Sequence, residues 1–362
     1  MAGDSAGHDV TMFRALGADD AVVKDLAAMV EAGPTGTVAG RVGRVDRGRF
    51  QLLNAGEGIS VATTGVSPVC VGDWCTVVGT PGAGDTVAYA LDRVLPRRTA
   101  LVRQSSGSRV ESQALAANID TVMVVIPLDR PVLRRQIERF LALAWESGAQ
   151  PVIALTKTDT VDENGVRAAL AEVTVVSGAI RVLLVSAVTG AGMGAVSALV
   201  PPGATAALLG TSGSGKSSLV NALMRAEVVQ TGDVRQGDNK GRHTTTWREL
   251  VAVPGGGAMI DTPGLRELGM WVDEEGIDAA FSDISGLASD CRFNDCAHLS
   301  EPGCAVLAAV EGGSLGADRL ESYHKLLAEA AFAAEKNDHR LAREAQKVGR
   351  QRTSEGRRNP RP

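Results

Sequence analysis

The sequence predicts a multidomain protein: a small N-terminal β-barrel, a central α/β domain and a mainly helical C-terminal region. Three observations carry this reading. Short Val-rich runs separated by Gly, Asp and Pro fill residues 36–95. Continuous apolar runs then alternate with helically spaced segments from 121 to 261, interrupted by one Gly-rich loop. A cluster of cysteines and a histidine follows, ahead of a long stretch with helical spacing.

Composition narrows the classes. A chain of 362 residues with 44% hydrophobic and 22% charged residues has the make-up of a folded protein of two or three domains. No window approaches the ~18 consecutive apolar residues that a spanning helix needs, so no membrane association is expected. The N-terminus is acidic and lacks an apolar core, so a cytoplasmic location is expected. Net charge is −5, which excludes a globally basic nucleic-acid binder. The charge is uneven, however. Residues 1–33 carry six acids, and residues 340–362 carry eight Arg or Lys against Glu344 and Glu355. A basic tail suits an anionic partner, although a solvated terminus has the same composition. Aromatic residues are only 3%, too few for a surface that stacks many bases. Five cysteines, an odd number, argue against a disulfide framework.

Taken in order, residues 1–33 read as a weakly structured lead-in. Strands are expected at Thr37–Val45, Arg49–Leu53, Ile59–Ala62, Trp74–Val78 and Val87–Val94. Five strands in this length fit an OB-type barrel over 34–95, and other small β folds as well. Residues 96–113, rich in Arg and Ser, read as a linker. From 114 to 270, strands are expected at Thr121–Ile126, Val152–Leu155, Val182–Val185, Ala204–Leu209, Trp247–Val253 and Ala258–Asp261, with a helix over Leu133–Ser147. That alternation predicts a parallel sheet with helices on both faces. Residues 271–348 hold the cysteine cluster and a helix from Asp318 to about Gln346, and 349–362 read as a basic disordered tail.

Residues 210–217 are Gly-Thr-Ser-Gly-Ser-Gly-Lys-Ser, a Gly-x4-Gly-Lys-Ser loop between an apolar strand and a helical segment. Gly210 and Gly215 permit backbone angles and close approach that a Cβ would block. The amides of Thr211, Ser212, Gly213, Ser214 and Ser218 can then surround phosphates at the helix N-terminus. Lys216 reaches the β- and γ-phosphates, and the Ser217 hydroxyl can coordinate Mg2+. The loop defines a nucleoside triphosphate site without choosing the base.

Two segments address the base. Thr156-Lys157-Thr158-Asp159 follows an apolar strand, and Asp159 would accept from guanine N1–H and the 2-amino group. Adenine lacks both donors there, so a buried carboxylate would reject it. The Lys157 stem would lie over the ring. Ser186-Ala187, after another strand, would serve the guanine O6 edge. Both stand at strand C-termini, where open α/β sheets bind ligands. Asp261-Thr262-Pro263-Gly264 ends a further strand; Asp261 would hold Mg2+ through water, and the Gly264 amide would sense the γ-phosphate.

The order of these elements is unusual. In an ordinary GTPase the phosphate loop comes first and the guanine elements last. Here the guanine elements precede the loop, as in a circularly permuted GTPase, since permutation preserves strand neighbours. Between loop and Asp261 lies a polar, Gly-rich switch, 237–246, in which Thr245 is the expected Mg2+ ligand. Ras-type enzymes place a water-orienting Gln directly after the Gly of Asp-x-x-Gly. Leu265 occupies that position and cannot orient water, so His243 becomes the catalytic candidate. Finally, Cys291-x4-Cys296-x-His298-x5-Cys304 has donors suited to one tetrahedral, structural Zn2+. Cys70 and Cys75 read as buried thiols.

The Thr-Lys-Thr-Asp, Gly-Thr-Ser-Gly-Ser-Gly-Lys-Ser-Ser, Gly-Arg-His-Thr-Thr-Thr and Asp-Thr-Pro-Gly-Leu-Arg-Glu elements stand in that order, with the Cys-x4-Cys-x-His-x5-Cys cluster behind them. Together they resemble the ribosome small subunit-dependent GTPase A family (RsgA, also called YjeQ) over roughly residues 35–345. The resemblance implies an N-terminal OB-fold, a central α/β P-loop GTPase domain with circularly permuted motif order, and a C-terminal mainly helical zinc-binding domain. It further implies GTP hydrolysis to GDP in late maturation of the 30S ribosomal subunit, contact with 16S rRNA, and stimulation by the 30S particle. A monomer is expected. The barrel region departs from a strongly basic rRNA-binding surface, with five Arg against five acids in 34–95.

Overall fold

Alternation with a period of two sets the N-terminal strands. In β2 (Arg49–Leu53), Phe50 and Leu52 point inward while Arg49 and Gln51 face out. The others are β1 (Thr37–Asp46), β3 (Ile59–Ala62), β4 (Trp74–Pro81) and β5 (Val87–Val94). Pairing runs β1-β2-β3-β5-β4 and returns from β4 to β1, so the sheet closes on itself. The β3–β5 pairing is parallel and the other barrel pairings are antiparallel. This is the five-stranded OB barrel; Val42, Phe50, Leu52, Val61, Cys75 and Val77 fill it.

The structure, a computed structural model, describes residues 10–54, 58–63, 69–81, 87–104, 112–225, 249–261, 274–332 and 334–335. His243, Thr245, Gly264, Leu265 and the basic tail lie outside them. The chain divides into two compact units, Met1–Val102 with Ala114–Leu268 and Arg103–Gln113 with Gly269–Pro362.

The lead-in differs from the sequence expectation. Residues from Val10 onward form helices α1 (Val10–Ala15) and α2 (Asp20–Glu31). Asp19 caps α2 by accepting from the Val22 amide at 2.9 Å, and Leu26 is fully buried. Phe13 meets Trp74 of the barrel edge-on at 6.2 Å. Burial of these apolar side chains outweighs the local acidic composition. The expected linker likewise contains regular structure: β6 (Ala100–Gln104) and β7 (Ser112–Ala117) form a two-stranded sheet.

The α/β part holds β8 (Thr121–Pro127), α3 (Arg134–Glu146), β9 (Gln150–Thr156), α4 (Glu163–Ser177), β10 (Val182–Leu184), α5 (Met193–Ser197), β11 (Thr205–Leu209), α6 (Lys216–Met224), β12 (Glu249–Ala252) and β13 (Ala258–Asp261). Strand order is β10-β9-β8-β11-β13-β12. Among the described residues of this part, only β12 runs antiparallel to its neighbour. β8 and β11 are buried almost throughout, as strands covered on both faces must be. The outer edge of β12 pairs with β1 through Arg44 and Glu249. The barrel therefore continues the sheet and covers an edge that would otherwise be open. Sequence periodicity carries no sign of that join.

In the second unit, α7 (Glu274–Ala280), α8 (Ser282–Ala288), α9 (Ala305–Glu311) and a helix over 317–332 surround Ile277, Phe281, Ile284 and Val306, all fully buried. Arg319 lies 4.1 Å over the Phe281 ring and grips both Asp283 carboxylate oxygens.

Candidate functional site

β11 is the strand at which the direction of winding reverses. From it the chain passes through α6 towards β12 and β13, while β8, β9 and β10 lie on its other side. Such a switch point leaves a crevice at the strand C-termini. The 210–217 loop fills the end of β11, and α6 begins at Lys216. A Cβ at Gly210 would stand 2.5 Å from the Val125 carbonyl, and Gly215 has φ +97°, so both positions require glycine. Lys216 is buried, and its Nζ donates to the Gly210 and Thr211 carbonyls at 2.8 Å each. The cation is thus held under the loop.

Asp261 ends β13 beside the loop. Ser217 Oγ donates to its Oδ2 at 2.8 Å. Its Oδ1 is buried and accepts no hydrogen bond in the described structure. Burial raises the Asp261 pKa, while Ser217 and Lys216 oppose that shift. A hydroxyl and a carboxylate with one unfilled buried lone-pair site match the hard oxygen donors that Mg2+ prefers.

The segments at 156–159, 186–187 and the 210–217 loop come together in the structure. Thr156 Oγ1 donates to the Ser214 carbonyl at 2.6 Å, tying the Thr-Lys-x-Asp turn to the phosphate loop. Lys157 adopts left-handed backbone angles, φ +59°. Ser186 Oγ donates to Asp159 Oδ1 at 2.5 Å, and the Thr158 amide lies on the Val185 carbonyl, so the segments at 156–159 and 186–187 form one wall. Asp159 itself is exposed rather than buried, because it stands at the crevice mouth beyond the end of β9. Two further residues, not singled out from the sequence, touch these segments: Asp129, which accepts from Lys157 Nζ at 2.6 Å, and Arg130, which donates to the Gly213 carbonyl at 3.1 Å. Their position after β8 was the available signal, since β8 separates β9 from β11.

In the second unit, the donor atoms of Cys291, Cys296, His298 and Cys304 all lie within 4.8 Å of one another and could hold a metal ion. Cys291 Sγ is 3.8 Å from Cys304 Sγ, and His298 Nδ1 is 3.6 and 3.4 Å from those two sulfurs. His298 reaches the cluster through a left-handed residue, φ +57°. The Glu301 carboxylate accepts from the Ala297, Leu299 and Ser300 amides and fixes the intervening turn. Those amides hold its carboxyl down to about 2. Cys70 and Cys75 are buried thiols outside any disulfide.

The fold and crevice define a circularly permuted P-loop GTPase. The family model of the RsgA GTPase matches residues 94–271. The chain is 46% identical over 328 residues to the small ribosomal subunit biogenesis GTPase RsgA of Streptomyces avermitilis, covering 89% of this chain and 87% of that one. It belongs to the RsgA GTPase family. The corresponding protein of Methanosarcina acetivorans is 41% identical, over 81% of this chain and 78% of its own. Among solved structures, YjeQ from Thermotoga maritima superposes with a TM-score of 0.60 at 26% identity, covering 82% of this chain and 99% of that one. YloQ, described as a circularly permuted GTPase, superposes with a TM-score of 0.58 at 22% identity.

Proposed function

We propose that this chain hydrolyses GTP to GDP during late maturation of the 30S ribosomal subunit, binding the particle through 16S rRNA and being stimulated by it. The observation that carries the reading is the joined wall of Asp159, Ser186 and Thr156 on the phosphate loop. A carboxylate beside a Gly-rich loop supports a site for a guanine base and its phosphates. Relatives at 41–46% identity that are named small ribosomal subunit biogenesis GTPases support the ribosomal role.

In this reading, Gly210 to Ser218 surround the phosphates, and Lys216 neutralises charge that grows on them during cleavage. Ser217, Asp261 and Thr245 hold Mg2+, which supplies further positive charge there. Gly264 senses the γ-phosphate, and His243 orients the attacking water. Residues 34–95 provide the OB barrel, 114–270 the GTPase domain and 271–348 the metal-binding domain. The metal is one structural zinc. Bond lengths of about 2.3 Å to sulfur and 2.0–2.1 Å to nitrogen give tetrahedral edges of about 3.6–3.8 Å, close to the three separations among Cys291, His298 and Cys304, with all four donors within 4.8 Å. Four protein donors leave no open position for catalysis or delivery. The protein acts as a cytoplasmic monomer, and its basic tail docks on RNA.

Multiple-turnover GTP hydrolysis with and without purified 30S particles tests the reading. A partner-supplied acceleration on the order of 10³-fold or more is expected, weakening with added salt as phosphate contacts do. No stimulation at any salt concentration would discard the ribosomal role. A His243→Ala protein should bind 30S and GTP but lose most of the stimulated rate.

A further inference from the structure

We infer that Asp129 and Arg130 are positioning residues for the nucleotide site, Asp129 acting through Lys157 at the base end and Arg130 through the Gly213 carbonyl at the phosphate end. The inference rests on the reading of this crevice as a GTP site.

The argument begins with the sheet. β8 lies between β9 and β11, so the turn leaving β8 emerges between the Thr-Lys-x-Asp turn and the phosphate loop. That turn is anchored, because the Leu128 amide donates to the Thr156 carbonyl at 2.9 Å. Asp129 and Arg130 follow at once. Lys157 Nζ donates to Asp129 Oδ2 at 2.6 Å, Arg130 Nε donates to Asp129 Oδ1 at 3.3 Å, and Arg130 Nη2 donates to the Gly213 carbonyl at 3.1 Å. One continuous set of contacts thus joins the base-side lysine to the middle of the phosphate loop.

The fold does not need these contacts. The side chains of Asp129 and Arg130 are 35% and 38% exposed, and exposed ion pairs add little to stability. Their effect falls instead on what they hold. A lysine stem and a Gly-rich loop are both entropically costly to order when a ligand arrives. Ordering them beforehand removes part of that cost from binding. Charge fits as well: the carboxylate lies between two cations, so the set presents net positive charge to a triphosphate. At Gly213 a Cβ would come 3.4 Å from Arg130 Nη2, so the guanidinium lies against the loop itself.

The test uses the full chain and titrations with fluorescent GTP, GDP and GMP analogues. Asp129→Asn should weaken GTP and GDP alike by about threefold to tenfold, with an unchanged melting temperature. The effect should nearly vanish when Lys157 is already Met, because the two act as a unit. Asp129→Glu should recover part of the loss. Arg130→Met should weaken GDP more than GMP, since its contact is with the loop that surrounds the phosphates. Wild-type affinity in Asp129→Asn, or an equal loss in the Lys157→Met background, overturns the role of Asp129. Equal shifts for GDP and GMP overturn that of Arg130. A wild-type protein with no preference for guanine nucleotides overturns the site reading itself, and is seen before any variant is made.

Discussion

Arg41 and Thr205 are 164 residues apart in sequence and joined by a 2.6 Å hydrogen bond from the guanidinium to the hydroxyl. Arg41 is on β1 of the barrel and fully buried; Thr205 begins β11, the strand that leads to the phosphate loop. The same guanidinium donates to the carbonyls of Leu16, Gly72 and Asn118 and lies 4.8 Å over the Trp74 ring. One cation therefore ties the N-terminal segment, the barrel and the nucleotide-binding sheet together. Arg41→Met would leave several buried oxygens without donors, at roughly 1–3 kcal/mol each. A stability loss of about 3 kcal/mol or more is expected in denaturant unfolding; a loss under about 1 kcal/mol would mean that water replaces the guanidinium.

Asp159→Asn should sharply weaken GTP binding and move preference towards xanthine nucleotides, whose 2-carbonyl suits an amide donor. Ser186→Ala should give a smaller loss, about threefold to tenfold, because it removes the hydroxyl that orients Asp159. Competition binding with GTP, XTP and ATP reads both. Unchanged guanine selectivity in Asp159→Asn would remove the base assignment.

Lys216→Ala should abolish hydrolysis and also loosen the loop, since Nζ holds two loop carbonyls. Ser217→Ala should lose Mg2+-dependent binding while Lys216 stays in place. Turnover assays across a Mg2+ titration separate the two, and wild-type rates in either protein would place the active site elsewhere.

Removing the metal, by a strong chelator or by Cys296→Ala, should unfold the segment around 285–310. Binding free energy at such a site is folding free energy, on the order of 10 kcal/mol. GTP binding should survive, because the residues of the proposed nucleotide site belong to the first unit. Metal analysis with circular dichroism checks this; a metal-free protein with native helix content would refute the site.

Asp19→Ala should cost about 1 kcal/mol by removing the α2 cap. Burial works against ionisation of Asp19, but the Val22 amide and Arg98 outweigh it and lower the pKa below 3.8. A lowered carboxyl pKa stabilises the fold above the unfolded value. That contribution is lost as pH falls through the folded value. Wild type and Asp19→Ala should therefore differ in stability at pH 7 and converge below pH 3.8; a difference that persists in acid would assign the effect to packing.

Much of the site was legible because its chemistry is local. Gly210, Gly215, Lys216 and Ser217 owe their geometry to backbone angles and a helix start that eight consecutive residues specify, and the loop stands between β11 and α6. The strands at Arg49–Leu53, Ile59–Ala62, Val87–Val94 and Ala258–Asp261 stand where alternation or apolar runs put them. Cys291, Cys296, His298 and Cys304 lie close enough in sequence for spacing to announce them. The folding of residues 10–31 was not legible, since α1 and α2 are held by Trp74 and Arg98, far away in the chain.

The sequence alone determined most strands of the barrel and of the α/β domain, the permuted order of the nucleotide motifs and the cysteine–histidine cluster that could hold a metal ion, because each depends on residues within one short segment. Tertiary structure decided what lies beside what: that β12 accepts β1 and makes barrel and α/β sheet continuous, that Arg41 reaches Thr205, and that Asp129 and Arg130 stand between Lys157 and Gly213. These pairings join residues tens to hundreds of positions apart. Sheet hydrogen bonds and buried polar groups select them by satisfying donors and acceptors in three dimensions, a constraint that no local periodicity records.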